Sequence, residues 1–512
     1  MRIAHVLAVS LAACAAVPAA VAATLSYDDA RHLLNRTGFG ATDAEIRRFA
    51  GLTRDKAART LLAGTRSTAV TAPPAWTNDP GPLRYPRAGE NASVEEKKAF
   101  RQQQIREGLE LRGWWVGEML ASPSPLTERM TLFWHNHFVS AQQKVRLAEL
   151  MYRQNVTLRE HALGNFGDLL HAIARDPAML VYLDGAHNRK GAPNENFARE
   201  LMELFTLGEG SYSERDVKEA ARAFTGWSLN RETGRFVFRP FLHDYGEKTV
   251  LGRSGRLDGD DVLDLLLARP ETAEFVTRKL WREFVSPDPD EGEVKRIAAR
   301  FRDSRYDIKV ALSALLTADA FYAPENRGAL VKSPVDLVVG TLHQFGMRPG
   351  DAAPFAVAAA TMGQNLFGPP NVKGWPGGDA WINSSTLLAR KSFLDRLFRA
   401  DDAAGRSETS LATEASASVA MTGALMPASP TSDADSERAG KLRFQRAMDR
   451  GLRSVRFDGQ AWFDSLRAAP ETRVASARSV LLAYAPQAAT ETDADPLAVV
   501  RQIVLDAAYQ LK

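Results

Sequence analysis

The feature that most constrains this chain is the helical spacing of its apolar residues, which recur three and four positions apart along most of the sequence. Such spacing places apolar side chains on one face of an α-helix. It predicts helices that begin near Tyr27, Ala44, Glu95, Leu126, Leu147, Asn194, Ser213, Glu271, Glu293, Ile308, Pro334 and Ser385. The two-residue alternation of a strand is scarce, so we expect a mainly α fold.

Capping signals support several of these helix starts. Ser124-Pro125 and Ser333-Pro334 each place a capping hydroxyl before a proline at the first helical position. Residues 213–216, SERD, form a capping-box pattern. Residues 235–241, RFVFRPF, alternate briefly and predict a small hairpin. We therefore predict a large, bundle-like helical body with one small β-hairpin and a C-terminal helical extension.

The first 22 residues have the pattern of a secretory signal peptide. An early arginine precedes a short apolar run, and AVA at 20–22 suits cleavage before Ala23. We expect an exported protein, periplasmic or secreted. Residues 11–14, LAAC, resemble a lipobox, so an outer-membrane lipoprotein attached through Cys14 is the alternative.

Cys14 is the only cysteine of the 512 residues. Cleavage after residue 22 would leave none, which excludes disulfides, thiolate nucleophiles, Cys-ligated zinc, iron–sulfur clusters and c-type haem. The sequence therefore does not identify a cofactor, and a divalent metal is the candidate.

Composition divides the rest of the chain. We predict a main helical domain over 23–400, with a long Pro/Gly/Asn-rich surface loop at 67–92. Residues 401–437 are rich in Ala, Ser and Thr, have few large apolar side chains, and are predicted to be disordered. Residues 438–512 are predicted to form a helical segment that packs on the main domain.

The charge balance argues against a nucleic-acid partner, and the lengths of the apolar stretches argue against a transmembrane span. The 65 Lys and Arg nearly balance the 62 Asp and Glu, and no basic block stands out, so nucleic acid is not an expected partner. No later stretch is long and apolar enough to predict a transmembrane span.

The segment FWHNHF, residues 133–138, holds two histidines inside an aromatic setting. On a regular helix His137 points into the core, whereas His135 is turned roughly 160° away. His135 is therefore predicted to be half-exposed near Glu128. His137 is predicted to be either a buried histidine with a hydrogen-bond partner or a metal ligand.

A second segment, PNENFARELMELFTLGEG at 193–210, contains most of the candidate site residues. Asn196, Glu200 and Glu203 form a single file beside the buried stripe. Two carboxylates three positions apart can hold a hard cation or shift a pKa, so we predict His137, Glu200 and Glu203 as metal ligands. Alternatively, Glu195, Arg199 and Glu203 form a solvated ladder of ion pairs.

Two loops complete the candidate site. His243 and Asp244 follow the predicted hairpin on a loop, and with Glu200 they are the predicted catalytic residues. The Gly/Pro-rich segment around Trp375 and Trp381 is either a rigid structural loop or an aromatic floor for a sugar or another flat ligand. The predicted ligand-binding residues are Asn194, Asn196, Arg199, Trp227, Trp375 and Trp381.

Together, HLLNRTGFGAT (32–42), FWHNHF, NENFARELMELFTLGEGSYSERDVKEAARAFTGW (194–227), HDYGEKTVLG (243–252) and NVKGWPGGDAWINSSTLLAR (371–390) resemble the bacterial domain of unknown function 1800 family. The resemblance extends from about Asp28 to Leu397. It implies an exported, helix-rich protein whose gene often neighbours that of an exported protein resembling sulfatases and alkaline phosphatases. It implies no catalytic residues.

Two classes of function follow. The first is a metal-assisted, hydrolase-like enzyme that gathers His137, Asn196, Glu200, Glu203, His243 and Asp244. The second is a non-catalytic partner in binding or assembly, with the sulfatase/phosphatase-like neighbour as its partner, or a carbohydrate-binding surface protein. The chain has no HExxH, GxSxG or P-loop sequence, so an enzyme would need these side chains to converge in space.

Overall fold

The computed structural model of the chain describes residues 24–77, 93–230, 232–399, 446, 449–452, 455–487 and 495–512. The predicted signal peptide and the predicted disordered stretch at 401–437 lie outside these residues. So do residues 78–92 of the predicted surface loop.

Helices dominate the described residues, as the apolar spacing predicts. The first part contains α1 Tyr27–Thr37, α2 Asp43–Phe49, α3 Arg54–Ala63, α4 Val94–Ala121, α5 Pro125–His137, α6 Gln142–Val145, α7 Ala148–His161, α8 Phe166–Ala174, α9 Pro177–Tyr182, α10 Glu195–Glu200 and α11 Glu214–Ala223. The second contains α12 Gly259–Ala268, α13 Pro270–Phe284, α14 Glu291–Asp303, α15 Ile308–Leu316, α16 Asp319–Tyr322, α17 Pro334–Gln344, α18 Ala353–Thr361, α19 Ser384–Leu397, α20 Gly459–Ser465, α21 Arg473–Leu481 and α22 Pro496–Leu505.

Each predicted helix start lies within two residues of an observed one. Ser333 and Asp336 form a full capping box ahead of α17, and Ser213 and Asp216 form another ahead of α11. Ser124 differs, because its hydroxyl pairs with the Thr127 hydroxyl at 2.7 Å instead of capping α5 through a backbone N–H.

Two short antiparallel hairpins are the strands of the described chain. The predicted hairpin pairs β1 Trp227–Leu229 with β2 Phe236–Phe238, in a register that places Trp227 opposite Phe238. A second hairpin, β3 Lys248–Val250 with β4 Arg253–Gly255, was not predicted.

Helix α5 lies at the centre of the body, packed against α1, α4 and α7. All but one of the residues from Leu126 to His137 are buried. Its charged side chains therefore need buried partners. Glu128 accepts hydrogen bonds from Arg159 at 2.7 Å and from the Trp115 indole at 2.9 Å.

The C-terminal segment is tied into this core. Helix α22 packs against α19 and α20, and the chain end forms a bridge from Leu511 to Val331. Lys512 donates to Asp336 at 2.7 Å, and Arg129 of α5 bonds the other oxygen of the same carboxylate. Burial opposes ionisation of Asp336, but Arg129 and Lys512 hold its pKa well below the usual range.

Within the described ranges, no helix combines the length and the apolar content needed to cross a bilayer.

Replacing Asp336 with Ala is expected to lower the free energy of unfolding by about 3–5 kcal/mol, because Lys512 loses its buried ion-pair partner and Arg129 keeps only the partly exposed Glu283. Urea denaturation monitored by circular dichroism measures the loss. The control is Glu291→Ala, which breaks the exposed Arg278–Glu291 pair and should cost less than about 1 kcal/mol. Equal effects of the two variants would contradict a central role for the Asp336 cluster.

Candidate functional site

His137 is the last residue of α5 and is buried. Its Nε2 lies 3.1 Å from the Phe205 carbonyl oxygen, and its Nδ1 lies 3.2 Å from Nζ of Lys279. The carbonyl requires a proton on Nε2, and the ammonium group requires a lone pair on Nδ1, so the ring is neutral. Burial and Lys279 hold the pKa of His137 well below its usual range. Both ring nitrogens are thus occupied in a structural network.

The hydrogen bonds of His137 and Lys279 stabilise a π-helical turn, Leu201–Thr206, which continues α10. The wide turn frees backbone carbonyls that an α-helix would use. The Thr206 hydroxyl donates to the Leu201 carbonyl at 2.7 Å, and Lys279 donates to the Leu204 carbonyl at 3.0 Å. Sequence reasoning missed Lys279 because it lies on α13, far from the segment it completes.

His135 is buried, so the prediction that it is half-exposed is wrong. The rings of Trp115, Phe367 and Trp375 surround it, with centroids 5.4–5.6 Å from its own. This burial lowers the pKa of His135 to about 3. The prediction assumed that α5 has a solvent-facing side, whereas every residue from Leu126 to His137 except Asn136 is buried.

Glu200 and Glu203 lie at the junction of α10 and the π-helical turn, and both are half-buried. Glu203 accepts a hydrogen bond from the Tyr212 hydroxyl at 3.0 Å and lies 4.0 Å from Nζ of Lys373. Glu200 has no hydrogen-bond partner among the described residues. Burial, followed by repulsion from Glu203, raises the pKa of Glu200.

The alternative ion-pair ladder forms only in part. Arg199 pairs with Glu195 at 3.3 Å and with Glu214 of α11 at 2.5 Å. Glu203 is directed elsewhere, toward Tyr212 and Lys373. The two carboxylates of Glu200 and Glu203 are therefore the acidic groups of this helix that remain outside the ladder.

The loop around Trp375 covers the end of α5 next to these carboxylates. Asn136 accepts a hydrogen bond from the Trp375 backbone N–H at 2.7 Å. Gly374 has φ +83°, and a Cβ there would lie 2.2 Å from Oδ1 of Asn136, so only glycine fits. This contact places Lys373 beside Glu203. We call the resulting partly exposed group, Asn136, Glu200, Glu203, Tyr212 and Lys373, the motif surface.

His243 and Asp244 belong to a separate loop. The His243 ring is buried and donates from Nδ1 to the Thr225 carbonyl at 2.7 Å. Asp244 accepts from Arg222 at 2.8 Å, and this hydrogen bond lowers the pKa of Asp244 to about 2. Neither residue contacts Glu200, so the structure does not bring the three predicted catalytic residues together.

The predicted ligand-binding residues have structural partners. Asn194 caps α10, and the side-chain amides of Asn194 and Asn196 donate to backbone carbonyls at 3.0 and 3.2 Å. Trp227 is buried beneath the Arg175 guanidinium, 5.2 Å from the ring centroid. Trp375 and Trp381 are only 4% and 7% exposed, which places their indoles in the core and not in an aromatic floor.

No three His, Cys, Asp or Glu side chains in the described part of the chain are grouped so that they could hold a metal ion. His137, Glu200 and Glu203 are therefore not arranged as a set of ligands. A cleft of about 450 Å³ lies elsewhere, between α1, α3 and the start of α5. In its wall His343 pairs with Glu45 at 3.1 Å, a pair that sequence reasoning missed.

The fold and the site define a class: a helix-rich protein in which three of the segments that carry the family resemblance, those of Asn136, Glu203 and Lys373, meet at the end of α5. The chain belongs to the family described as Protein of unknown function (DUF1800), whose model matches residues 32–498. The match extends beyond Leu397 into the C-terminal segment. A search of curated proteins and a search of solved structures found no match.

Replacing Glu203 with Gln is expected to lower the pKa of Glu200, because the variant removes a neighbouring negative charge. The pKa should remain above its ordinary value, since burial is the larger cause. Carboxyl ¹³C NMR titration measures it, with Glu200→Gln identifying the signal. The Glu214 carboxyl, whose pKa Arg199 lowers, is the internal control. An unchanged Glu200 titration would show that the two carboxylates do not interact.

The lowered pKa of Lys279 predicts that the stability of the protein depends on pH. Burial and Arg282 lower the pKa of Lys279 from 10.5 to about 8. Between these values the unfolded chain binds the proton and the folded chain does not, so stability rises with pH. Relative to Lys279→Met, the protein should gain up to roughly 3 kcal/mol as pH increases from about 8 to 10.5. Urea denaturation at a series of pH values measures the difference, and a constant difference would contradict the lowered pKa.

Proposed function

We propose that this protein is a non-catalytic binding protein that assembles with another protein through the motif surface. The observation that carries the proposal is the separation of the acid–base groups. His137 is committed to a carbonyl and to Lys279, and His243 is committed to the Thr225 carbonyl. Groups locked in this way rigidify a fold.

The motif surface offers the features of a recognition patch. Lys373 is 66% exposed and stands between carboxylates, 4.0 Å from Glu203 and 3.6 Å from Glu209. Tyr212 adds a ring and a hydroxyl next to these charges. Mixed charges around an aromatic ring favour an oriented encounter with a complementary protein surface.

The proposed partner is the exported protein resembling sulfatases and alkaline phosphatases, whose gene often neighbours the genes of this family. Export of this chain is part of the proposal and rests on the signal-like residues 1–22.

Titration calorimetry with the purified neighbour tests the proposal. Lys373→Glu is expected to weaken binding about tenfold or more, because reversing a charge opposes a complementary surface. The control, Arg296→Glu, reverses an ion-paired cation on α14 that is 40% exposed and should leave binding unchanged. Absence of binding by the unmodified protein, or equal loss in both variants, would overturn the proposal.

The Glu200–Glu203 pair favours a second candidate, a metal-assisted hydrolase. A carboxyl with a raised pKa beside a second carboxylate can exchange protons or contribute to a cation site. Metal analysis of the purified protein and its Glu200→Ala variant tests this candidate. Stoichiometric metal that is lost in the variant would support it, and equal metal content in both would exclude Glu200 as a ligand.

A further inference from the structure

Three large aromatic side chains are exposed along the segment from the last residue of β2 to the loop before β3. Phe238 is 40% exposed, Phe241 77% and Tyr245 55%. Phe241 lies in the one-turn 3₁₀ helix Pro240–Leu242 that follows the hairpin. We call these three residues the aromatic tip. A cluster of exposed aromatic side chains usually marks a surface that is covered in function.

The base of the aromatic tip is rigid. The buried His243 ring packs between Phe238 and Tyr245, with centroids 5.5 and 4.6 Å away. Below it, Gly226 has φ +86°, and a Cβ there would lie 2.9 Å from the Arg239 carbonyl oxygen. The aromatic side chains are therefore held outward by a fixed loop. Little conformational entropy is lost when they are covered.

Cations lie beside the aromatic tip. The Lys190 backbone N–H donates to the Leu242 carbonyl at 2.7 Å, which fixes the segment carrying Arg189 and Lys190 against the 3₁₀ turn. The side chains of Arg189 and Lys190 are exposed, whereas Arg239, which follows Phe238, is half-buried and donates from Nε to the Ser228 hydroxyl at 3.2 Å. None of the three cations has a carboxylate partner among the residues that the structure covers.

The acidic groups of the same loop do not cancel these charges. Asp244 is neutralised by Arg222 at 2.8 Å. Lys248 donates to the Asp244 and Gly246 carbonyls at 2.6 and 3.0 Å, and Glu247 is the other carboxylate of residues 240–248. Glu247 is exposed, so the two exposed cations Arg189 and Lys190 outnumber the one exposed carboxylate of this loop.

We propose that the aromatic tip docks on the surface of an anionic phospholipid bilayer. Phe241 and Phe238 would enter the interface between headgroups and acyl chains, while Arg189, Lys190 and Arg239 would bind lipid phosphates. Aromatic side chains flanked by Lys and Arg are typical of proteins that bind at this interface. A bilayer fits a protruding turn because it needs no preformed groove, and the 450 Å³ cleft is lined by other segments.

Sedimentation of the full chain with vesicles tests this assignment. Binding to phosphatidylglycerol/phosphatidylcholine vesicles is expected to exceed binding to pure phosphatidylcholine vesicles and to weaken as salt is raised. The double variant Phe238→Ala/Phe241→Ala should reduce the bound fraction about fivefold or more, and Arg189→Glu/Lys190→Glu should abolish the preference for phosphatidylglycerol. All chains carry the same N-terminal segment, so the differences report on the aromatic tip.

Matched controls distinguish binding through the aromatic tip from non-specific adsorption to vesicles. Leu388 is 60% exposed and lies on α19 beside the exposed Lys391. Leu388→Ala and Lys391→Glu should leave vesicle binding unchanged, and circular dichroism should show that every variant is folded. Equal binding to neutral vesicles, or unchanged binding by the Phe238→Ala/Phe241→Ala variant, would overturn the proposal. A different result would also overturn it: the unmodified protein binds an oligoglutamate peptide but no vesicles, and the tip variants lose the peptide binding. That result would assign an acidic protein surface as the partner.

Discussion

The burial of α5 is the constraint on which the rest of the structure depends. The charged side chains of a helix can lie in a core only when they find partners there. Two polar atoms of α5, Nε2 of His135 and Nε of Arg129, are buried without a hydrogen-bond partner among the described residues. Glu128 finds Arg159, Arg129 finds Asp336, and His137 finds a carbonyl and an ammonium group. These partners come from α7, α17, the π-helical turn and α13. Pairing the buried polar side chains of α5 therefore fixes the positions of four segments that are distant in sequence.

The candidate site is a consequence of how α5 ends. His137 and Lys279 supply the hydrogen bonds that allow the turn at Leu201–Thr206 to widen, and that turn carries Glu203. Asn136, the preceding residue, anchors the loop that brings Lys373 to the same place. Signature segments more than 200 residues apart thus meet because they close the same helix end. This explains why polar residues that look catalytic in sequence are partly structural.

Two exposed features remain after the buried networks are accounted for, and they differ in chemistry. The motif surface combines carboxylates, a lysine and a tyrosine, which suits a protein partner. The aromatic tip lies beside exposed cations that have no carboxylate partner among the described residues, which suits a lipid interface. A protein with both would hold a partner near a membrane surface, a role that needs no reaction centre.

Local signals in the sequence determined twelve of the helix starts, the capping box at Ser213 and the first hairpin, because caps and periodicity act within a few residues. Helix α18 was missed because its largely apolar sequence, APFAVAAAT, lacks a polar face. The burial of His135, the partners of His137 and the position of Lys373 beside Glu203 were decided only by the tertiary structure. The physical reason is that hydrogen bonding and desolvation of a buried group depend on what packs against it, and those neighbours are distant in sequence.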